Sequence, residues 1–459
     1  MNSLYNRLRF NDKDMFYNDG IIDYSQIPSK YKDFFPEVLL QNGICDRTRV
    51  MLYFNDNKLL MPFIIILQAF CLEIHLANKK VFFEHIQEHT SSIQSFVTDV
   101  MIKGRPLDGT FTLLGRVIYI YINKCEKDYN KDLSKMTYVF YTSGTTGKEN
   151  MVFKNQDVLI REALAIVKEL NYNYTDVVVC NAPSFHSFGQ AFGNFAACLA
   201  GCKVNYLSSF TIPSHILKTV KDSHCNILIS TPYYYNMIYH TLNEETKLKY
   251  MLSAGGKLSQ IVVNSGIKIN NVYGTTETGA MCIQRYVNGG SCGSVGTPIS
   301  GVSITCGERV FTDDQQPMYE LYVESDFMCQ STVNNNVLKP CMRPFKLSDI
   351  GFIDNNMNLY IYGRRDAIVN LYGEKISLYE IEAVLCSDEN VKNAKVIYNI
   401  DPNGKEYLEA YVETTGVCSS KQLLRHCKNC LSDNKIPRVI KLVDSLELSE
   451  TGKIKNVQM

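Results

Sequence analysis

Tyr141-Thr142-Ser143-Gly144-Thr145-Thr146-Gly147-Lys148 is the stretch that decides how this chain reads. It follows the apolar run Tyr138-Val139-Phe140-Tyr141, so a strand is expected to end in a loop of hydroxyls, two glycines and a lysine. Such a loop has what a polyphosphate needs: glycines let backbone N–H groups approach the oxygens, hydroxyls add donors, and lysine adds positive charge. It is not a GxxxxGK[ST] loop. Taken alone, an ordinary Gly/Thr turn between two strands explains it as well.

Composition bounds the rest. The 459 residues exceed what one core usually covers, so two or three domains are expected. Hydrophobic residues make up 45% and charged residues 20%, as in soluble globular proteins. The 47 basic and 47 acidic side chains cancel, so neither nucleic acid nor an anionic membrane is an expected partner. Residues 1–19 are polar and mixed in charge, and 16 cysteines without a secretory signal point to free thiols in a reducing, cytoplasmic compartment. The longest apolar run, Leu59 to Leu72, contains Pro62 and is too short for a membrane span, so it reads as a buried core helix. Cys427 and Cys430 form the only CxxC; Leu423, Leu424 and Leu431 around it favour one face of an ordinary helix over a metal or redox centre.

Through the first 300 residues short β-rich runs alternate with helical patterns. Val177–Cys180 and Asn226–Ser230 read as strands, and Asp157 as the cap of a helix carrying Val158, Leu159, Ile160, Leu164, Ile166, Val167 and Leu170. This alternation predicts α/β layers with parallel sheets. From about Arg309 to Tyr362, short strands with Asn/Asp/Gly turns predict a β-rich subdomain. The expected architecture is an α/β protein: a large N-terminal body of layered α/β sheets plus this subdomain over residues 1–365, and a small α+β C-terminal domain over 366–459.

Three further segments carry candidate chemistry. Asn271-Val272-Tyr273-Gly274-Thr275-Thr276-Glu277-Thr278-Gly279 offers an aromatic for a base, hydroxyls for phosphate and a carboxylate for Mg²⁺, or else is a polar strand-to-loop turn. Lys346-Leu347-Ser348-Asp349-Ile350-Gly351 sets an acid in an apolar strand, suited to ribose hydroxyls or to a turn. Ser449-Glu450-Thr451-Gly452-Lys453-Ile454-Lys455 is by composition only a solvated tail.

Taken in this order, the segments make the chain resemble the adenylate-forming superfamily, which includes acyl- and aryl-CoA synthetases, nonribosomal peptide adenylation domains and luciferases. The resemblance runs from about Gly43 to Lys455. It also takes in Pro183-Ser184-Phe185-His186-Ser187-Phe188-Gly189, Ser253-Ala254-Gly255-Gly256, Ser294 to Gly301, Gly363 to Glu382 and Lys435 to Lys455. It implies that Thr142, Ser143, Gly144, Thr145, Thr146, Gly147 and Lys148 hold the phosphates of ATP. Gly255, Tyr273, Gly274, Thr275 and Thr276 would meet the nucleotide, Asp349 the ribose with Arg364 assisting, and Glu277 would ligate Mg²⁺. Lys453, Thr145 and Glu277 would be catalytic, His186 would line the acid pocket, and Asp366 would be the hinge that makes the C-terminal domain mobile. The sequence departs from the family pattern at Glu149-Asn150-Met151, where Pro, Lys and Gly usually follow the loop, and at Leu347-Ser348-Asp349, where Thr-Gly-Asp is usual.

The implied reaction activates a carboxylic acid to an acyl-adenylate, releases pyrophosphate, and passes the acyl group to coenzyme A or to the phosphopantetheine of a carrier protein. Members that activate amino acids place an aspartate where His186 stands, which favours an aryl or fatty acid. A stand-alone amino-acid adenylation protein and a catalytically degenerate ATP-binding homologue remain the alternatives.

Overall fold

The structure is a computed structural model of the whole chain. It describes every residue except 1–3, 5–6, 12–16, 19, 33, 46–47, 71, 88–91, 123–135, 144–148, 209–210, 243–247, 257, 259–261, 264, 285–293, 314–315, 389, 417 and 447–459.

The N-terminal body begins with β1 (Arg49–Tyr53), α1 (Leu60–Leu67), β2 (Glu73–Leu76), β3 (Ser95–Thr98), β4 (Gly109–Leu113) and β5 (Arg116–Ile122). Next come β6 (Thr137–Ser143), β7 (Glu149–Asn155), α2 (Gln156–Leu170), β8 (Val177–Cys180), β9 (Lys203–Tyr206), β10 (Ile227–Ser230), β11 (Tyr250–Ser253), β12 (Ile269–Thr275) and β13 (Gly279–Gln284). A β-rich stretch continues with β14 (Val302–Asp313), β15 (Gln316–Ser325), β16 (Ser331–Asn334), β17 (Val337–Pro340), β18 (Phe345–Ile353) and β19 (Leu359–Arg364). The C-terminal part holds β20 (Ile368–Leu371), β21 (Glu374–Ser377), α3 (Leu378–Leu385), β22 (Val391–Ile400), β23 (Glu406–Thr414), α4 (Ser420–Cys430) and β24 (Val439–Val443).

Two nine-stranded sheets form the body. One runs β17-β16-β7-β6-β2-β1-β3-β5-β4; the other runs from Thr297–Pro298 through β13-β12-β11-β10-β8-β9 to Ile21–Asp23 and Tyr17–Asn18. The centre of each is parallel, with β6, β2, β1 and β3 in the first and β12, β11, β10, β8 and β9 in the second.

Strand periodicity explains how the sheets pack, because successive side chains leave opposite faces. Val50 and Leu52 of β1, and Val178, Cys180, Ile227 and Ile229 of the other sheet, enter one shared core with α1 and α2. Met51 and Tyr53 enter a second core with Phe82, Phe96 and Tyr121, whereas Val179 and Leu228 enter a third with Ile216, Tyr235 and Ile238. Strands buried on both faces read as continuous apolar runs, as these do.

Every residue of α1 is buried, which fits a helix apolar all round. Pro62 sits in its first turn, where a missing N–H costs nothing. The helix is shorter than the run from Leu59 to Leu72. The expected Asp157 cap is corrected: α2 starts two residues earlier, Asn155 occupies the N-cap, and Asp157 lies in the first turn, where its charge favours the helix dipole. Leu164 and Val167 pack at the rim of the core, while Val158, Leu159, Ile160, Ala163, Ile166 and Leu170 are buried.

The subdomain is a four-stranded antiparallel sheet, β14-β15-β18-β19, that starts earlier than expected; the hairpin β16–β17 leaves it to extend the first body sheet. Residues from Leu371 to Ile440 build a separate core around β20–β24, α3 and α4. On α4, Cys427 is buried and Cys430 exposed, and among the described residues no group of three or more metal-ligating side chains occurs. Among the described residues no helix is long and apolar enough to cross a membrane.

Candidate functional site

The carboxyl ends of the parallel strands in the second sheet carry a row of polar side chains. Ser230 pairs in register with Ser253, and Ser253 with Asn271, while the Ser230 hydroxyl donates to Asn181 Oδ1 just beyond β8. Asn181, Ser230 and Ser253 are buried. Asn181 Nδ2, Ser184 Oγ and Ser253 Oγ have no hydrogen-bond partner among the described residues. Buried polar atoms normally have one, and crevices at strand carboxyl ends are where open α/β sheets take ligands. This donor set therefore fits a polar ligand seated across β8, β10, β11 and β12.

The stretch from Asn271 to Gly279 is a hairpin. β12 pairs antiparallel with β13, Thr275 opposite Gly279, with an irregularity between Tyr273 and Gly274. Glycine is required at 274, since a Cβ there would lie 2.3 Å from the Gly279 carbonyl oxygen. The turn is tied from several sides. Thr278 N–H donates to Thr275 Oγ1 at 3.2 Å, Thr276 Oγ1 and Ser187 Oγ lie 3.3 Å apart, and Ser325 Oγ donates to the Thr278 carbonyl at 3.0 Å. The Ser187 contact joins the Pro183–Gly189 segment, with half-buried His186, to this turn.

Glu277 is half-buried; its carbonyl accepts from Cys329 N–H at 2.7 Å, and its carboxylate makes no hydrogen bond or ion pair among the described residues. A carboxylate left without a protein cation fits a hard divalent ion such as Mg²⁺.

Tyr273 and Asp349 meet although 76 residues separate them: the phenol donates to Asp349 Oδ2 at 2.6 Å. Burial, and then the Asp349 charge, push the Tyr273 hydroxyl well above its usual range, so it stays a donor. Asp349 on β18 is opposite Arg364 on β19. The Arg364 guanidinium turns to Asp366 instead, with Nε–Oδ1 at 2.9 Å and Nη2–Oδ2 at 2.6 Å, both side chains largely exposed.

Thr142 and Ser143 end β6, and Ser143 pairs with Glu149 across the hairpin to β7. Gly144, Thr145, Thr146, Gly147, Lys148 and Lys453 lie outside the described residues. Gly255 follows β11 with φ +90°, and the segment Ser253–Gly256 thus leaves the sheet directly beside the row of polar side chains.

Two buried arrays behind these segments escape sequence reading. Lys154 on β7 pairs with Glu162 on α2 at 3.3 Å, their side chains 1% and 4% exposed, and Glu162 Oε1 accepts from Ala280 N–H at 2.8 Å, fixing the base of the β12–β13 hairpin. Tyr141, the residue before Thr142, lies 2.8 Å from His75 Nδ1; His75 Nε2 lies 2.9 Å from Glu73 Oε1, which pairs with Arg49 Nε at 3.0 Å. The alternation of Glu73 and His75 along β2 was the one available signal, since polar residues in an otherwise apolar central strand need partners.

Comparisons with known proteins find relatives over most of the chain. The profile of the AMP-binding enzyme family matches residues 75–309, just over half of the chain, and that of the AMP-binding enzyme C-terminal domain matches residues 380–453. Gramicidin S synthase 2 of Brevibacillus brevis is 26% identical over 359 residues, 72% of this chain, which spans only 8% of that protein. The 2-succinylbenzoate–CoA ligase of Listeria monocytogenes is 25% identical over 350 residues, 73% of each chain. The fold resembles the O-succinylbenzoate coenzyme A synthetase of Bacillus subtilis solved with AMP, with TM-score 0.72, 18% identity, and coverage of 92% of this chain and 90% of that one. By the match to its central profile, the chain belongs to the AMP-binding enzyme family.

Proposed function

We propose that this protein activates a carboxylic acid with ATP, forming an acyl-adenylate and pyrophosphate, and then transfers the acyl group to a thiol, either coenzyme A or the phosphopantetheine of a carrier protein. The observation that carries the reading is the junction of Tyr273 and Asp349 beside the tied turn at Glu277. It brings an aromatic ring and an acid together beside a carboxylate that has no protein cation among the described residues, on a chain of the AMP-binding family, and this supports the reading.

The chemistry follows from these parts. A carboxylate is a poor electrophile, because expelling oxide is prohibitive, and attack on the α-phosphate gives it AMP as leaving group. Two anions approach each other, and pyrophosphate departs with growing negative charge. Lys453 screens the approach, while Thr142, Ser143 and the loop through Lys148 hold the departing phosphates. Mg²⁺, when bound at Glu277, neutralises charge on the phosphate oxygens. Asp349 and Tyr273 orient the nucleoside, and Arg364, on the opposite strand, joins them on leaving Asp366.

Residues 366–459 act as a mobile domain on the 1–365 body. The Arg364–Asp366 pair sits at their junction, and the core around β20–β24 is its own. Turning at Asp366 withdraws Lys453 after adenylation and admits the thiol, so that one centre runs two half-reactions in sequence. The acid is an aryl or fatty acid: His186 stands where amino-acid-activating members carry the aspartate that pairs with an α-ammonium group.

ATP–pyrophosphate exchange on the purified protein tests this, using aryl acids, short and long fatty acids and amino acids, with Lys453→Ala as control. Lysine-dependent exchange with an aryl or fatty acid is the expected result. Exchange confined to amino acids overturns the substrate class, and silence across the panel with ATP still bound overturns the activity.

A further inference from the structure

Cys329 and Cys341 flank the open end of the β16–β17 hairpin. Ser331 pairs with Pro340, and beyond that pair Cys341 N–H donates to the Gln330 carbonyl at 2.9 Å, so the two chains stay together up to the cysteines. Each thiol is the foremost influence on the other, Cys341 holding the Cys329 proton on and Cys329 drawing the Cys341 proton off, so the two side chains are neighbours at the hairpin end. Cys329 is 1% exposed, whereas Cys341 is half-buried and reaches the surface. The same backbone is tied to the candidate site: Cys329 N–H donates to the Glu277 carbonyl at 2.7 Å, and Gln330 N–H to the Phe153 carbonyl on β7 at 2.9 Å. The activation chemistry uses neither sulfur.

We propose that Cys329 and Cys341 are a redox-active pair whose disulfide, formed by a peroxide, displaces Glu277 and weakens binding of Mg·ATP. The last clause rests on the adenylation reading; the disulfide does not. The more accessible Cys341 sulfur attacks a peroxide oxygen, the O–O bond breaks, and a sulfenic acid and one water form with hydrogen peroxide. The Cys329 sulfur then attacks the Cys341 sulfur, the S–S bond forms, and a second water leaves. The two thiols supply the two electrons and two protons. An S–S bond is about 2.05 Å, shorter than any non-bonded approach of two sulfurs, so closing it draws the hairpin limbs together. Cys329 is buried and bonded through its N–H to Glu277, so its movement passes directly to that residue.

The test uses the full chain, reduced and then treated with hydrogen peroxide. Alkylation and peptide mass mapping read the cross-link, and calorimetry reads Mg·ATP binding directly, so a protein that activates no acid still reports the switch. The expected result is a Cys329–Cys341 cross-link, a roughly ten- to hundred-fold loss of Mg·ATP affinity, as for a displaced metal-supporting group, and recovery with dithiothreitol. Cys341→Ser and Cys341→Ala retain wild-type affinity and lose the peroxide response. Recovery of both cysteines as free thiols after peroxide overturns the pair, and a cross-link with unchanged affinity overturns its link to Glu277.

Discussion

Lys154 and Glu162 are fully enclosed opposite charges placed behind the Thr276–Thr278 turn, and Lys154→Met exposes what that arrangement requires. The Nζ–Oε2 distance is 3.3 Å, while Oε1 already accepts from Ala280 N–H at 2.8 Å, so the carboxylate serves the lysine and the hairpin at once. Removing the lysine leaves a buried carboxylate with one neutral donor. Breaking a buried pair in this way costs about 3–5 kcal/mol, largely the desolvation of the stranded charge. Adding Glu162→Gln removes that charge and keeps an amide oxygen for Ala280, so Lys154→Met/Glu162→Gln loses only about 1–2 kcal/mol, near the cost of one unmet buried donor. Urea denaturation followed by circular dichroism measures wild type, Lys154→Met, Glu162→Gln and the double variant, and the difference gives their coupling. ATP–pyrophosphate exchange on the same samples shows a raised KM for ATP in Lys154→Met, because the base of the turn loosens. A Lys154→Met protein within about 1 kcal/mol of wild type, or a double variant no more stable than Lys154→Met, refutes the claim that the pair is dry and holds the turn.

Other expectations follow from the same geometry. Tyr273→Phe keeps the ring but removes the donor to Asp349; ATP affinity by calorimetry is expected to fall about tenfold, the equivalent of about 1.4 kcal/mol for a bond to a charged group, and an unchanged affinity would separate that bond from nucleotide binding. Tyr141→Phe takes the hydroxyl from His75 and is expected to cost about 1–3 kcal/mol in urea stability; a neutral result would show that the His75–Glu73 array stands without it. Gly274→Ala forces a Cβ to 2.3 Å from the Gly279 carbonyl, so the hairpin must shift and exchange activity collapse, as measured with purified, folded protein. Lys453→Ala is expected to lose adenylation by a factor on the order of a hundred or more, about 3 kcal/mol, yet to retain thioester formation from supplied acyl-AMP; equal loss of both half-reactions would remove the basis for a turning C-terminal domain.

What the sequence by itself determined was the local elements, their order and, through that order, the family. The strand leading to Ser143, the turn that follows Tyr273, the strand around Asp349 and the continuous apolar strands were all legible, because each signal lies within about ten residues and depends on side-chain alternation or turn chemistry. Those segments in sequence also identified the family. Helix boundaries were less legible: Asp and Asn cap equally well, so Asp157 was as good a candidate as Asn155, but β7 runs to Asn155 and the helix leaves from there.

Only the tertiary structure decided which distant groups meet. Tyr273 reaches Asp349 because β12 ends beside the four-stranded sheet. Ser230, Ser253 and Asn271 form one row because β10, β11 and β12 are parallel and in register, and Glu162 holds Ala280 across 118 residues. Register and sheet order are set by burying two faces of each sheet together, a property of the whole apolar pattern. No local spacing records them, so a buried lysine in a strand reads like any surface lysine until its partner, far along the chain, is brought against it.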